Sequence, residues 1–317
     1  MDKNSFKIVF FGTPEFAVES LDALVGNGYN VAAVVTMPDK KAGRGHALLQ
    51  SDVKKYALSK GLPVLQPEKL KSPDFITQLK EINADLFIVI AFRMLPREVW
   101  DMPRLGTFNL HASLLPKYRG AAPINRAVMN GETETGVTTF FLKHEIDTGD
   151  MIRQEKIDIL PEDNVGDVHD KLMHLGAQMV VDTVDSILDG TIRTTPQPEG
   201  EFTPAPKIFK EDCQINWTAT CSQIHNHVRG LSPYPAAWTT MQEKSGKLLD
   251  CKVFETVTTE DSCFGHEPGE VKIDGKELRV ATGDRWIKIA SLQPAGKKRM
   301  EASAFLLGYH PERFISK

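Results

Sequence analysis

An asparagine and a histidine separated by one residue are the side chains best suited to chemistry in this chain. Asn109 and His111 flank Leu110 at the end of a short apolar run, and Asp147 opens a later Asp-Thr-Gly-Asp segment. Side chains at positions i and i+2 of a strand lie on the same face, so the amide and the imidazole are predicted to point the same way. An amide donor beside an imidazole, with a carboxylate nearby, can stabilise an oxyanion and transfer a proton. The spacing alone is equally compatible with an ordinary strand end and turn.

The predicted strand that carries these residues sets their position. Thr107–Leu110 is apolar and aromatic and lies between Gly106 and Pro116, which predicts a strand that ends at His111. Three earlier apolar runs alternate with helical patterns: Lys7–Phe11, Val31–Val35 and Leu86–Ile90. This alternation predicts a Rossmann-like α/β fold with a mostly parallel sheet, covered on both faces. Ligands bind at the carboxyl ends of the strands in such sheets, and His111 falls at such an end.

The pattern of the chain changes after residue 190. Residues 191–206 contain several prolines and no sustained periodicity, which is typical of a linker. Beyond it, short apolar runs alternate with turn signals, which predicts a small antiparallel β-barrel of the OB type. A chain of 317 residues is long enough for two domains. We therefore predict a catalytic domain over residues 1–190, a linker over 191–206 and an OB-like domain over 207–317.

Two basic segments are candidates for contact with a polyanion. One is the glycine-containing loop Pro38–His46, which directly follows a predicted strand, and the other is Ser291–Met300. Their positive charges come from Lys40, Lys41, Arg44, Lys297, Lys298 and Arg299. Such a segment is either a solvated surface or a set of phosphate contacts, and the sequence pattern by itself leaves both open.

Composition excludes several classes of protein. The formal net charge of −4 excludes a globally basic nucleic-acid binder but leaves local basic patches possible. No apolar run reaches the roughly 18 residues that a membrane helix needs, and the first predicted strand begins by Phe6, so we expect a cytoplasmic protein with no membrane partner. The four cysteines show no zinc-type spacing, so we expect buried thiols and no metal. A lone Gly12 after the first strand argues against an NAD site.

Several motifs along the chain are those of a known enzyme family. They are Gly12–Ala17, Pro38–Asp39 with Ala42–Gly45, Asn109–Pro116, Tyr118–Ile124, Glu134–Thr138, Asp147–Met151 and Ser291–Met300. Through these motifs the chain resembles the methionyl-tRNA formyltransferases, a branch of the folate-dependent formyltransferases, over essentially its whole length. The Ser-Leu-Leu-Pro signature marks the wider superfamily. The glycine-arginine loop and the segment Gln293–Lys297 narrow the resemblance to the branch that acts on tRNA.

The resemblance implies a reaction, its partners and its residues. A formyl group would pass from 10-formyltetrahydrofolate to the α-amino group of methionine on initiator tRNA, in a monomeric enzyme. The catalytic residues it implies are Asn109, His111 and Asp147. The folate-binding residues it implies are Ser113, Leu114, Leu115 and Pro116. The tRNA-binding residues it implies are Lys40, Lys41, Arg44, Lys297 and Lys298.

One departure from the family pattern and two rival functions accompany this interpretation. The family commonly has Ala-Tyr-Gly where this chain has Ala91, Phe92 and Arg93. Main-chain contacts to the pterin would tolerate this exchange, whereas Arg93 can alter the local shape and the affinity for folate. A formyltransferase acting on a small amine would use the same Asn-His-Asp chemistry, although the two basic segments favour tRNA. A tRNA-binding protein with an inert catalytic half is the second rival, and the intact trio argues against it.

Overall fold

The chain forms two compact units. The computed structural model describes residues 2–41, 48–198, 200 and 202–316. The first unit comprises Met1–Gly120, Gly136–Ile157 and His169–Pro204, and the second comprises Ala121–Thr135, Asp158–Val168 and Ala205–Lys317. Two short segments from the N-terminal part of the chain therefore belong to the second unit. The domain boundaries at residues 190 and 207 stay a prediction.

The helices and strands are numbered along the chain. The strands are β1 Lys7–Gly12, β2 Asn30–Val35, β3 Lys40–Lys41, β4 Leu48–Leu49, β5 Val64–Leu65, β6 Leu86–Ile90, β7 Thr107–His111, β8 Arg119–Gly120, β9 Glu134–Phe141, β10 Met151–Asp158, β11 Pro204–Ala205, β12 Ala237–Glu243, β13 Leu248–Ser262, β14 Val271–Asp274, β15 Glu277–Ala281, β16 Arg285–Pro294, β17 Met300–Glu301 and β18 Pro311–Ile315. The α-helices are α1 Glu15–Gly26, α2 Asp52–Ser59, α3 Pro73–Ile82, α4 Arg97–Trp100, α5 Pro123–Met129, α6 Val165–Leu188, α7 Cys221–Leu231 and α8 Ala302–Phe305. A 3₁₀ turn covers Glu211–Cys213.

The first unit is built on one mixed, mostly parallel sheet. Its strand order is β10-β9-β7-β6-β1-β2-β5. The pairs β1/β2, β1/β6, β2/β5 and β6/β7 are parallel, and β9 runs antiparallel to β7. All five residues of β6 are buried, as expected for a parallel strand covered on both faces. The predicted Rossmann-like architecture is confirmed.

The register of the sheet brings two candidate segments to one edge. In the parallel pair β6/β7, Val89 lies opposite Asn109 and Ile90 lies opposite Leu110. Both strands therefore end at the same edge of the sheet, where β7 finishes at His111. The segment that follows β6, residues 91–96, starts from that same edge. This is the edge at which ligands bind in open parallel sheets.

The second unit is an antiparallel, nearly closed barrel-like sheet with the order β14-β15-β16-β13-β12-β18. Its two end strands approach each other where the Phe314 N–H donates to the Gly269 carbonyl at 2.8 Å and Glu270 bridges to Arg313. Helix α7 opens with a capping box between Thr220 and Gln223. The buried face of α7 packs into the core that the strands enclose. The prediction of a small C-terminal antiparallel barrel is confirmed.

Gly269 makes this closure possible, and its substitution tests it. Its φ of +93° lies in the region that L side chains rarely adopt, and an added Cβ would lie 2.1 Å from the Phe314 carbonyl oxygen. We expect Gly269→Ala to lower the free energy of unfolding by about 1–3 kcal/mol or more, because backbone strain and a backbone collision add. Gly246→Ala is the matched control, since its φ is +82° and its added Cβ would meet nothing within 4 Å. Equal losses in urea denaturation of the two variants would contradict a special role for the closure.

None of the helices in the described part of the chain is long and apolar enough to span a bilayer.

Candidate active site

His111 is buried at the end of β7 and has one ring nitrogen already engaged. Its Nε2 lies 2.9 Å from the Tyr118 carbonyl oxygen. A carbonyl only accepts, so Nε2 carries a proton and donates it. In the neutral ring, Nδ1 is then the unprotonated nitrogen. Nδ1 is therefore the ring nitrogen that the bond to Tyr118 leaves available.

Asp147 faces the other side of the same imidazole. Its Oδ2 lies 3.8 Å from His111 Nδ1, and the same oxygen accepts a hydrogen bond from the Gly120 N–H at 2.9 Å. The side chains of both members of this pair are almost fully buried, at 8% and 14% exposure, so a charge on one is poorly screened from the other. Asp147 has a φ of +55°, a conformation that aspartate and asparagine tolerate better than most residues.

Asn109 lies on β7 two residues before His111 and is half-buried. Its neighbours in the sheet are Val89 on β6 and Phe140 on β9. Strand alternation puts the Asn109 amide on the same face as the His111 imidazole. The structure thus brings the predicted trio to one edge of the sheet, with Asp147 arriving from the loop between β9 and β10.

The predicted folate-binding turn, residues 113–116, is held in place by hydrogen bonds to the side chain of a buried threonine. The Thr138 hydroxyl donates to the Ser113 carbonyl at 2.7 Å and accepts from the Leu115 N–H at 3.2 Å. The Gln154 side-chain amide donates to that hydroxyl at 2.9 Å and to the Leu115 carbonyl at 3.0 Å. All three hydrogen-bonding positions of the hydroxyl are used, so the turn is fixed to β9 and β10.

The side chains of this turn divide into buried and accessible ones. The Ser113 hydroxyl donates to the Lys117 carbonyl at 2.6 Å, and both Ser113 and Leu115 are buried. Leu114 and Pro116 are half-buried and reach the surface of the turn. A ligand at this turn would therefore contact Leu114, Pro116 and main-chain atoms, while Ser113 and Leu115 maintain the shape.

Arg93 bonds to the protein backbone. Its guanidinium Nη1 donates to the Glu68 carbonyl at 2.9 Å, and its Nη2 donates to the Pro67 carbonyl. Burial lowers the pKa of Arg93 from its usual value. The residue that departs from the family pattern thus fastens the segment after β6 to the segment after β5, and Ala91 takes the left-handed turn, with a φ of +46°.

Thr138 and Gln154 are site residues that the sequence interpretation missed. Each lies in a strand, where a polar side chain is normally expected to face solvent or a neighbouring strand. A threonine within the run Val137–Phe141 carries no local signal that its hydroxyl organises a distant turn. Only the pairing of β7, β9 and β10 reveals that role.

The basic residues predicted to bind tRNA are only partly described. Lys40 is exposed in the two-residue strand β3, and Lys41 completes that strand. Arg44 lies outside the described residues. Lys297 and Lys298 are exposed in the turn between β16 and β17, whereas the next residue, Arg299, forms an ion pair with Glu255. The two lysines of this turn are the more available cations.

The four cysteines were predicted to be buried thiols that bind no metal. All four cysteines are free and buried, which confirms the expectation of buried thiols. Burial raises the pKa of Cys251 to about 12 and also raises those of Cys213 and Cys221. Among the described residues, no group of three or more His, Cys, Asp or Glu side chains could hold a metal ion.

Comparison with known proteins assigns the chain to a class and then to a family. Residues 6–184 match the family described as "Formyl transferase", and residues 207–310 match "Formyl transferase, C-terminal domain". Together with the sheet topology, these matches define a formyl transferase. The methionyl-tRNA formyltransferase of Bacteroides fragilis is 56% identical over 315 residues, which cover 98% of this chain and 97% of that relative. The chain belongs to the methionyl-tRNA formyltransferase family.

More distant relatives extend the same pattern. The methionyl-tRNA formyltransferase of Flavobacterium johnsoniae is 50% identical over 95% of this chain and 96% of its own length. That of Porphyromonas gingivalis is 47% identical over 98% of this chain and 97% of its own length. Relatives at this identity therefore match both the Rossmann-like part and the barrel.

Solved structures share the fold at low sequence identity. The sugar 3N-formyl transferase WlaRD, crystallised with dTDP and 5-N-formyl-THF, superposes with a TM-score of 0.66 at 20% identity and covers 92% of this chain and 99% of its own. HypX from Aquifex aeolicus in complex with tetrahydrofolic acid gives a TM-score of 0.63 at 19% identity, covering 95% of this chain and 46% of its own. These likenesses show the fold alone.

Proposed function

We propose that this protein transfers the formyl group of 10-formyltetrahydrofolate to the α-amino group of methionine on initiator methionyl-tRNA, for the initiation of translation. The observation that carries the proposal is the placement of His111, bonded to the Tyr118 carbonyl on one side and faced by Asp147 on the other, at the carboxyl end of β7. The family to which the chain belongs supplies the substrate, since its members are named for methionyl-tRNA.

The chemistry needs oxyanion stabilisation and a proton path. The neutral amine attacks the formyl carbon, a C–N bond forms, and the carbonyl oxygen becomes an oxyanion. Asn109 donates a neutral hydrogen bond to that oxygen, and His111 in its protonated form donates a charge-assisted one through Nδ1, the ring nitrogen that Asp147 faces. Collapse breaks the bond to folate N10, and the proton lost by the amine ends on that nitrogen.

The folate donor is proposed to bind at the turn formed by residues 113–116 and at the segment after β6. The hydroxyl of Thr138 holds that turn rigid, and Arg93 shapes the neighbouring segment. A rigid turn supports catalysis because the turn itself needs no ordering when the folate donor binds, and the bound donor is then held in a fixed position. Arg93→Gly is expected to change the affinity for the folate donor more than the affinity for tRNA.

The tRNA is proposed to contact the loop that contains Lys40, Lys41 and Arg44 and the turn that contains Lys297 and Lys298. In this assignment residues 1–190 carry catalysis, residues 191–206 link, and residues 207–317 help to hold the tRNA. Both segments carry the positive charges that contacts with phosphate groups require. We further propose a monomer in the cytoplasm, where initiator tRNA is charged.

The salt dependence of tRNA binding tests these contacts. We expect Lys297→Ala/Lys298→Ala and Lys41→Ala/Arg44→Ala to flatten the plot of log affinity against log salt by about 0.7–0.9 for each phosphate that is no longer neutralised. Lys276→Ala, an exposed lysine in the β14–β15 hairpin, is the control and should leave the slope unchanged. If a double variant keeps the wild-type slope in filter-binding titrations, that segment is a solvated surface.

A transfer assay with defined acceptors tests the function as a whole. Radiolabelled formyl donor is supplied with initiator methionyl-tRNA, elongator methionyl-tRNA, and a small amine such as an amino-sugar nucleotide. We expect rapid transfer to the initiator species. Transfer to the small amine alone would support the rival enzyme, and tRNA binding without transfer to any acceptor would support the inert-binder alternative.

A further inference from the structure

We propose that Gln197 is a positioning residue that fastens the Asp147 loop. Its side-chain Nε2 donates to the Asp147 carbonyl at 2.7 Å and to the Gly149 carbonyl at 2.9 Å. Both hydrogens of the amide group are thus used on the two sides of Thr148. The inference rests on the proposed function, in which the Asp147 carboxylate faces the catalytic imidazole.

A neighbouring arginine fixes the orientation of this amide. Arg119 donates to Gln197 Oε1 from Nε at 3.1 Å and from Nη2 at 2.6 Å. A guanidinium only donates, so the amide oxygen must face Arg119 and the NH₂ group must face the loop. The guanidinium in turn lies over the Phe202 ring, with its carbon 4.9 Å from the ring centroid.

The backbone around Gln197 is pinned to β10. Thr195 and Met151 exchange two main-chain hydrogen bonds, of 2.9 Å from Thr195 N and 2.8 Å from Met151 N. Gln197 is half-buried, whereas Thr194, Thr195, Pro196 and Pro198 around it are exposed. One residue of an otherwise solvated segment therefore turns inward, toward the candidate active site.

These hydrogen bonds form a closed network that includes both the main chain and the carboxylate of Asp147. Arg119 bonds Gln197, Gln197 bonds the main chain of Asp147, and the Asp147 carboxylate accepts from Gly120, the residue after Arg119. The carboxylate and the main chain of Asp147 are therefore anchored to the same short segment of chain. This anchoring is what keeps an aspartate with a φ of +55° at a fixed distance from His111.

The near-isosteric substitution Gln197→Glu tests the inference. A glutamate keeps an acceptor for Arg119 but turns a carboxylate oxygen, instead of an NH₂ group, toward two carbonyls. We expect kcat for formyl transfer to fall about 10- to 100-fold with KM for tRNA nearly unchanged, because a displaced group lowers reactivity more than binding. We also expect faster hydrogen exchange of the amides at residues 146–150.

Two further variants provide the control for this test and a substitute for Gln197→Glu. Gln78→Glu makes the same chemical change at an exposed position of α3 and should leave kcat and hydrogen exchange at wild-type values. If Gln197→Glu does not fold, Gln197→Asn, which retains the amide but is one methylene too short to span the gap, is expected to show the same loss.

The outcomes separate this inference from the proposed function. An active wild-type enzyme with an equally active, folded Gln197→Glu variant would overturn the positioning role alone. A wild-type protein that formylates no acceptor would overturn the proposed function, and the hydrogen-exchange comparison would still test the fastening of the loop. Unchanged exchange at residues 146–150 in Gln197→Glu would overturn the inference in either case.

Discussion

Alanine at His111 is expected to lower kcat for formyl transfer by about 10²–10³-fold, and alanine at Asn109 is expected to do the same. In the proposed mechanism each substitution removes one donor to the developing oxyanion, a loss of roughly 3–4 kcal/mol of transition-state stabilisation. The Tyr118 carbonyl orients the imidazole before substrate arrives, so this stabilisation requires little reorganisation. KM for tRNA is expected to stay close to the wild-type value, because in the proposed mechanism the two donors act on the transition state and the basic segments make the tRNA contacts.

Steady-state kinetics with methionyl-tRNA measure both constants. His111 is buried, so thermal unfolding of each variant must show that the fold persists. His111→Gln is a companion variant, because it keeps a side-chain N–H donor at this position but has no imidazole. His310→Ala, an exposed histidine of the second unit, is the control. A folded His111→Ala enzyme with normal turnover would remove this residue from the mechanism.

The architecture of both units could be predicted from apolar periodicity. Continuous apolar runs such as Leu86–Ile90 predicted buried parallel strands, and short runs with turn signals after residue 207 predicted the barrel. The pairing of small elements could not be predicted. Strand β11 and the bridge at Thr195 lie in a proline-containing stretch without periodicity, and their partners are distant in sequence. Hydrogen bonds between such segments leave no local pattern to detect.

The reactive side chains of the candidate site could be predicted from the sequence, whereas the residues that hold them in place could not. Asn109 and His111 are recognisable because strand alternation relates positions i and i+2. The element pattern predicted that the loop of Asp147 lies at the same sheet edge, but the approach of its carboxylate to His111 Nδ1 depends on how the β9–β10 loop folds back. The supporting residues Thr138, Gln154 and Gln197 are ordinary polar residues in their local context. Their roles arise from contacts across the sheet and from the segment near residue 197, so the sequence alone could not reveal them.

The loop that carries Asp147 depends on a close approach of backbone to backbone. Gly149 lies against β9, where an added Cβ would stand 1.6 Å from the Phe141 carbonyl oxygen and 3.1 Å from Phe140 Cδ2. The Phe141 N–H donates to the Asp150 carbonyl at 3.1 Å, which holds the loop and the strand together at this point. No side-chain rotation can relieve a collision with a main-chain oxygen, so any residue larger than glycine must displace the loop.

Gly149→Ala is therefore expected to reduce kcat by about 10²-fold, since an error of about 1 Å in a reacting group can cost that much. The displacement moves Asp147 away from His111 Nδ1 and lengthens the bond from Gln197 to the Gly149 carbonyl, so the loop loses its shape and its fastening together. KM for tRNA should change little, because neither basic segment is part of this loop.

The control for this substitution is Gly26→Ala, where an added Cβ at the end of α1 would meet nothing within 4 Å. That variant should keep wild-type kcat and stability. If Gly149→Ala folds and retains wild-type kcat, the reaction tolerates a displaced Asp147, and the oxyanion donors would then act without the carboxylate. The expected outcome is that Gly149→Ala loses kcat with only a modest fall in unfolding temperature, while Gly26→Ala keeps both. The function of Gly149 would then be to preserve the position of Asp147 relative to His111.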